Sequence, residues 1–88
     1  MPSRTLEVRN ERGLHARASA KFVTLASGCA AEIEVEKDGQ RVAGTSIMGL
    51  MMLGAAKGDA ITIHVSGDGA EQAIEQLAAL VESRFGED

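Results

Sequence analysis

The sequence predicts an α+β fold in which the helices pack on one face of an antiparallel sheet. Three observations carry this. Stretches of period two and of period 3.6 follow one another in the order βαββαβα. Every strand-like stretch alternates apolar and polar residues, so each has one buried and one wet face, as in an antiparallel sheet covered on one side. An Asp38-Gly39 pair between two alternating runs marks a tight hairpin, because both positions tolerate positive φ.

The first strand lies in TLEVRN, where Leu6 and Val8 point one way and Thr5, Glu7 and Arg9 the other; NERG then breaks the pattern. From 16 to 27 the period becomes helical. Ala18, Phe22, Leu25 and Ala26 form an apolar stripe, and Gly28 ends it. In EIEVEKDGQRVAG, Ile33 and Val35 alternate with glutamates, and a two-residue loop fixes the register. Lys37 faces Gln40, Glu36 pairs with Arg41 and Val35 with Val42, the last two on opposite faces. A short helix is predicted over 47–53, capped by Ser46. In AITIHVSG, Ile61, Ile63 and Val65 face inward and Thr62, His64 and Ser66 outward. The last helix is predicted over 69–85, with Ile74, Leu77, Val81 and Phe85 on one face and Ala70 and Ala78 beside them. Asp68 is expected to cap it, Glu71 to complete a capping box, and the closing GED to fray.

Composition narrows the function. The 88 residues suit one domain, 1–88, and 44% hydrophobic residues exclude a disordered chain. Without Trp or Tyr and with two Phe, the core is aliphatic. A net charge of -4 with so few aromatics argues against nucleic acid as a partner. The single Cys29 excludes an internal disulfide and a multi-cysteine metal site, suits a reducing compartment, and is expected to be buried. No signal-peptide pattern opens the sequence, and the run IMGLMMLGAA is about half a bilayer span. A cytoplasmic protein without membrane insertion is expected.

The candidate chemistry lies in GLHAR, residues 13–17. His15 falls where a loop becomes a helix, and the first amides of a helix lack internal partners. Those amides and the helix dipole favour an anion there. Arg17 adds a fork of donors suited to phosphate, and Gly13 lets the loop turn. A neutral imidazole is a nucleophile, and an ordinary histidine is largely uncharged near neutral pH. A phosphoryl group taken by His15 would sit among the His15, Ala16 and Arg17 groups. The same residues also read as a plain capping histidine and a solvated arginine. No other residue is placed by the sequence to orient His15, so a triad is not expected. A metal site would require His15 and His64 together, and His64 is predicted on the outer sheet face; neither metal nor cofactor is expected.

Taken together, GLHAR, TSIMGLMMLG and GDAITIHVSGDGAEQAIEQL resemble the HPr family, the histidine-containing phosphocarriers of the phosphoenolpyruvate-dependent phosphotransferase system. The resemblance covers essentially the whole chain. It implies an open-faced β-sandwich of four antiparallel strands and three helices. It implies that His15 is phosphorylated on Nδ1 by enzyme I, with Arg17 as its partner, and hands the group to an enzyme IIA-type protein. It further implies a stoichiometric carrier in a relay rather than a free-standing enzyme. Where the family commonly has proline this chain has Ala18, which leaves the first helical turn less fixed. The alanine form is associated with nitrogen-related rather than sugar-transport branches.

The resemblance also implies that Ser46 is a regulatory phosphorylation site, served by an HPr kinase/phosphorylase, with Thr45 its neighbour. Phosphate there would add about two negative charges beside the partner surface. The helix over 47–53 carries more apolar residues than one face can bury. Ile47, Met48, Met51 and Met52 are therefore expected to form an adaptable docking patch, with Arg17, Lys21 and Thr45 beside it. A monomer is expected. The alternative function is a regulatory protein-binding module that acts through Ser46 without relaying a phosphoryl group. A hydrolase would need a substantial cleft at His15.

Overall fold

The protein is described by a computed structural model covering residues 2–87. Four strands, β1 (Ser3–Glu7), β2 (Glu32–Lys37), β3 (Gln40–Ala43) and β4 (Ala60–Ser66), form an antiparallel sheet in the order β1-β4-β2-β3. Three helices, α1 (Ala16–Ser27), α2 (Ile47–Met52) and α3 (Ala70–Glu82), complete the predicted α+β sandwich. Among the described residues no helix is long and apolar enough to cross a membrane.

The alternation read from the sequence is the alternation of burial. Leu6, Ile33, Val35, Ile61, Ile63 and Val65 are buried beneath the helices, which contribute Phe22, Leu50, Ile74, Leu77 and Val81. The α3 helix packs on β1 and β4, and α1 contacts both α2 and α3. The hairpin has its predicted register: Lys37 faces Gln40, Glu36 faces Arg41 and Val35 faces Val42. Asp38 and Gly39 have φ of 52° and 83°, as a two-residue loop of that hand requires.

The end of the chain differs from expectation. The α3 helix stops at Glu82, not at residue 85. Its N-cap is Gly69, which has no side chain, so the box expected from Asp68 and Glu71 does not form. After α3 the chain reverses through a short 3-10 turn, Arg84–Gly86, in which Arg84, Phe85 and Gly86 have φ of 60°, 55° and 73°. Phe85 is fully buried, as its apolar character demands, but it reaches the core from this left-handed turn rather than from a helix face. Glu87 does not fray: it is hydrogen-bonded to two side chains. Cys29 is only half-buried, its thiol 3.4 Å from the Leu25 carbonyl.

Candidate functional site

The loop that leads into α1 is tightly held. Gly13 has φ 63°, and a Cβ built there would lie 2.2 Å from the Ala55 carbonyl oxygen, so no other residue fits without movement. Leu14 is buried and its amide donates to the same Ala55 oxygen at 2.9 Å. The chain is thus pinned on both sides of the position from which His15 projects.

His15 is the N-cap of α1, with extended backbone (φ -78°, ψ -178°). Its carbonyl accepts the first helical bond, from the Ser19 amide at 2.9 Å. Its side chain caps as well: Nδ1 accepts from the Arg17 amide at 3.2 Å. A ring nitrogen that accepts carries a lone pair and no proton. The proton therefore sits on Nε2, which donates to Glu87 Oε2 at 2.7 Å. His15 is thus a capping histidine whose Nδ1 lone pair points at the opening amides of α1.

The opening amides of α1, foreseen as anion donors, follow the His15 cap directly. The amides of Ala16 and Ala18 find no acceptor among the described residues. The Arg17 side chain is exposed and makes no hydrogen bond or ion pair among them. One turn further along α1, Lys21 is not free: its Nζ donates to the Phe85 carbonyl at 2.7 Å, tying α1 to the turn that follows α3.

Two residues at the site were not foreseen. Glu87 accepts from His15 through one oxygen and from Asn10 Nδ2 (3.1 Å) through the other. Asn10 is buried and also donates to the Gly13 carbonyl at 2.8 Å. Burial pushes the Glu87 carboxyl up, but the bonds from Asn10 and His15 and the nearby positive charge outweigh it, and the group titrates below its ordinary value. The expectation that nothing orients His15 is thereby corrected. Asn10 carried the polar signature of a turn, but nothing local marks Glu87, since its place depends on the reversal at 84–86.

The second region lies on α2. Ser46 is its N-cap, and its Oγ accepts from the Gly49 amide at 2.9 Å. Met48 and Met52 are 70% and 73% exposed, Ile47 and Met51 less so, while Leu50 is fully buried. Thr45 is not gathered with His15. It lines a hollow of about 700 Å³ with Cys29, Arg41 and His64. His64 lies on the outer sheet face as expected but is half-buried, its Nε2 2.7 Å from Glu36 and its ring against the Arg41 guanidinium. A second hollow, about 590 Å³, lies between α1 and α3 beside Arg17 and Lys21; His15 lines neither.

A family model described as the PTS HPr component phosphorylation site matches residues 2–83. The phosphocarrier protein HPr of Neisseria meningitidis serogroup A is 46% identical over 87 residues, 99% of this chain and 98% of that protein. A crystal structure of HPr from Thermoanaerobacter tengcongensis superposes with a TM-score of 0.96 at 45% identity, covering 100% of this chain and 99% of that one. Crh, the catabolite-repression protein of Bacillus subtilis, crystallised as a domain-swapping dimer, matches with a TM-score of 0.77 at 39% identity, covering 96% and 97% of the two chains.

Proposed function

Because the chain belongs to the HPr family of the phosphotransferase system, we propose that His15 carries the phosphoryl group, on Nδ1, between phosphorylated enzyme I and an enzyme IIA-type protein. The observation that carries this is the lone pair on Nδ1 at the mouth of α1, held there by the Arg17 amide and flanked by unpaired donors. As Nδ1 bonds to phosphorus, the bond from phosphorus to its carrier atom on enzyme I breaks and that electron pair returns to the donor. The three phosphoryl oxygens take bonds from the Ala16 and Arg17 amides and the Arg17 guanidinium. Onward transfer reverses the step, with nothing consumed on the carrier.

In this reading one domain does the work, in the cytoplasm and as a monomer. The dimer of Crh is the other arrangement, and sedimentation distinguishes the two. Partners dock on Ile47, Met48, Met51 and Met52, whose exposed thioethers adapt to several surfaces. Lys21 contributes to that surface through its stem, because its ammonium is engaged with Phe85. Thr45 flanks Ser46 rather than His15.

Ser46 is the proposed regulatory phosphorylation site, for an HPr kinase/phosphorylase. Its Oγ already accepts from the Gly49 amide, and a phosphate there keeps an acceptor at the cap while setting charge beside the docking methionines. The likeness to Crh, a catabolite-repression protein, favours the second reading, a regulatory module without phosphoryl relay.

Incubation with enzyme I and phosphoenolpyruvate separates the two. A carrier gains one acid-labile phosphoryl group, and His15→Ala gains none. A module without relay gains none in either form.

A further inference from the structure

We propose that Met48 and Met52 of α2 are sites of reversible sulfur oxidation: a hypohalous acid converts their thioethers to sulfoxides, and the chain then loses affinity for the proteins that dock there. This rests on the docking surface proposed above, with enzyme I as its occupant.

Three observations carry it. The first is where the sulfur lies. Three of the four methionines fall within residues 48–52. The buried core among the described residues is built of Leu, Ile, Val, Ala and Phe and contains no methionine. The thioethers are thus gathered on one six-residue helix and kept out of the interior.

The second is access. Met48 and Met52 are 70% and 73% exposed, against 41% for Met51. Four positions apart on a helix, they share a face. Cys29 is half-buried, with its thiol against the Leu25 carbonyl.

The third is what holds α2. Leu50 is fully buried, and Ser46 caps the helix through the Gly49 amide at 2.9 Å. An oxygen added to Met48 or Met52 therefore goes into water and leaves these attachments in place. Its cost appears on docking. A sulfoxide is polar where the thioether was apolar, and an apolar partner surface strips its water without replacing the bond. Oxidation weakens the complex and spares the chain. Ile47, 40% exposed and without sulfur, keeps part of the patch.

The step balances. The sulfur lone pair takes chlorine from hypochlorous acid, and hydroxide leaves. Water then displaces chloride from sulfur; one of its protons neutralises the hydroxide and the other is released. Sulfur has lost two electrons and chlorine has gained them. Methionine sulfoxide reductases, one for each sulfoxide epimer, restore the thioether at the expense of two thiols.

The test treats the full chain, and a double variant Met48→Leu/Met52→Leu that keeps Met51 and Cys29, with limiting hypochlorous acid. Peptide mass mapping should find the first added oxygens on Met48 and Met52. Calorimetric titration with enzyme I should show affinity about tenfold weaker for the oxidised wild type than for its reduced form, regained after the reductases. The double variant, compared with its own reduced form, should change little. The Tm of the oxidised wild type should stay within about 3 °C of the reduced one. First oxidation at Met51 or Cys29, unchanged affinity on oxidation, an equal loss in the double variant, or a larger fall in Tm each overturns the proposal. Reduced chain that binds enzyme I but gains no phosphoryl group overturns the carrier reading alone, since the titration needs no transfer. Wild-type affinity in a Met48→Ala/Met52→Ala chain overturns the docking surface, and the proposal with it.

Discussion

Glu87 Oε2 lies 2.7 Å from Nε2 of His15, although 72 positions separate the two in sequence. The contact joins the N-cap of α1 to the turn after α3, and the two elements are tied a second time through Lys21 and Phe85. The His15 ring is therefore held by both ends of the fold: its Nδ1 side by the helix it caps, its Nε2 side by the segment that follows the last helix.

This relationship sets how stability depends on acid. Glu87 titrates below its ordinary value of 4.5, burial being outweighed by the bonds from Asn10 and His15. Its contribution is complete above about pH 5 and is lost as the pH falls through the folded-state value. Glu11 and Glu36 are lowered too, each first through a hydrogen bond, from Lys57 and His64 respectively, and both are common to the wild type and E87Q. The Tm of the wild type should drop more steeply below pH 4.5 than that of E87Q, the two curves converging in acid. Parallel curves would remove the charge of Glu87 from the account.

The approach of Gly13 to the Ala55 carbonyl predicts a severe cost for Gly13→Ala. Positive φ alone costs about 1 kcal/mol, the loss expected for Gly39→Ala, where nothing lies within 4 Å. At Gly13 the overlap adds to it, and urea unfolding should register about 2–4 kcal/mol. Equal losses at the two glycines would mean the loop before His15 is not held as described.

The hairpin is legible to the residue pair, because a two-residue Asp-Gly loop leaves one register and each strand shows its faces by alternation. The helix over Ala16–Ser27 is equally legible from its stripe, and so is the place of His15 at its start. What escaped depends on backbone states that side chains do not announce. Arg84 and Phe85 are not residues that favour positive φ, so a helix running on to Phe85 fitted the pattern better than a reversal. Without that reversal Glu87 has no visible reason to be ordered. Gly69 took the cap expected of Asp68 for the same reason: the position of the turn, not the capacity to cap, decided it.

At α2, cap and charge separate. Ser46→Ala removes the bond to the Gly49 amide and should cost about 1 kcal/mol. Ser46→Asp keeps an acceptor at the cap and should cost much less, while slowing phosphoryl transfer from enzyme I. If S46D transfers at the wild-type rate, charge at this position does not govern docking.

Met48 and Met52 lie mostly in solvent. Replacing either by Ala should change stability by no more than about 0.5 kcal/mol, yet lower the rate at which enzyme I loads the chain at limiting concentrations. Wild-type loading in both variants would place the docking surface elsewhere.

The identity of the nitrogen that takes the phosphoryl group tests the account most directly. Phosphorus and nitrogen NMR of the chain, labelled at histidine and loaded by enzyme I with phosphoenolpyruvate, should place a single phosphoryl group on Nδ1 of His15. A group found on Nε2, on His64, or on no histidine at all would contradict it.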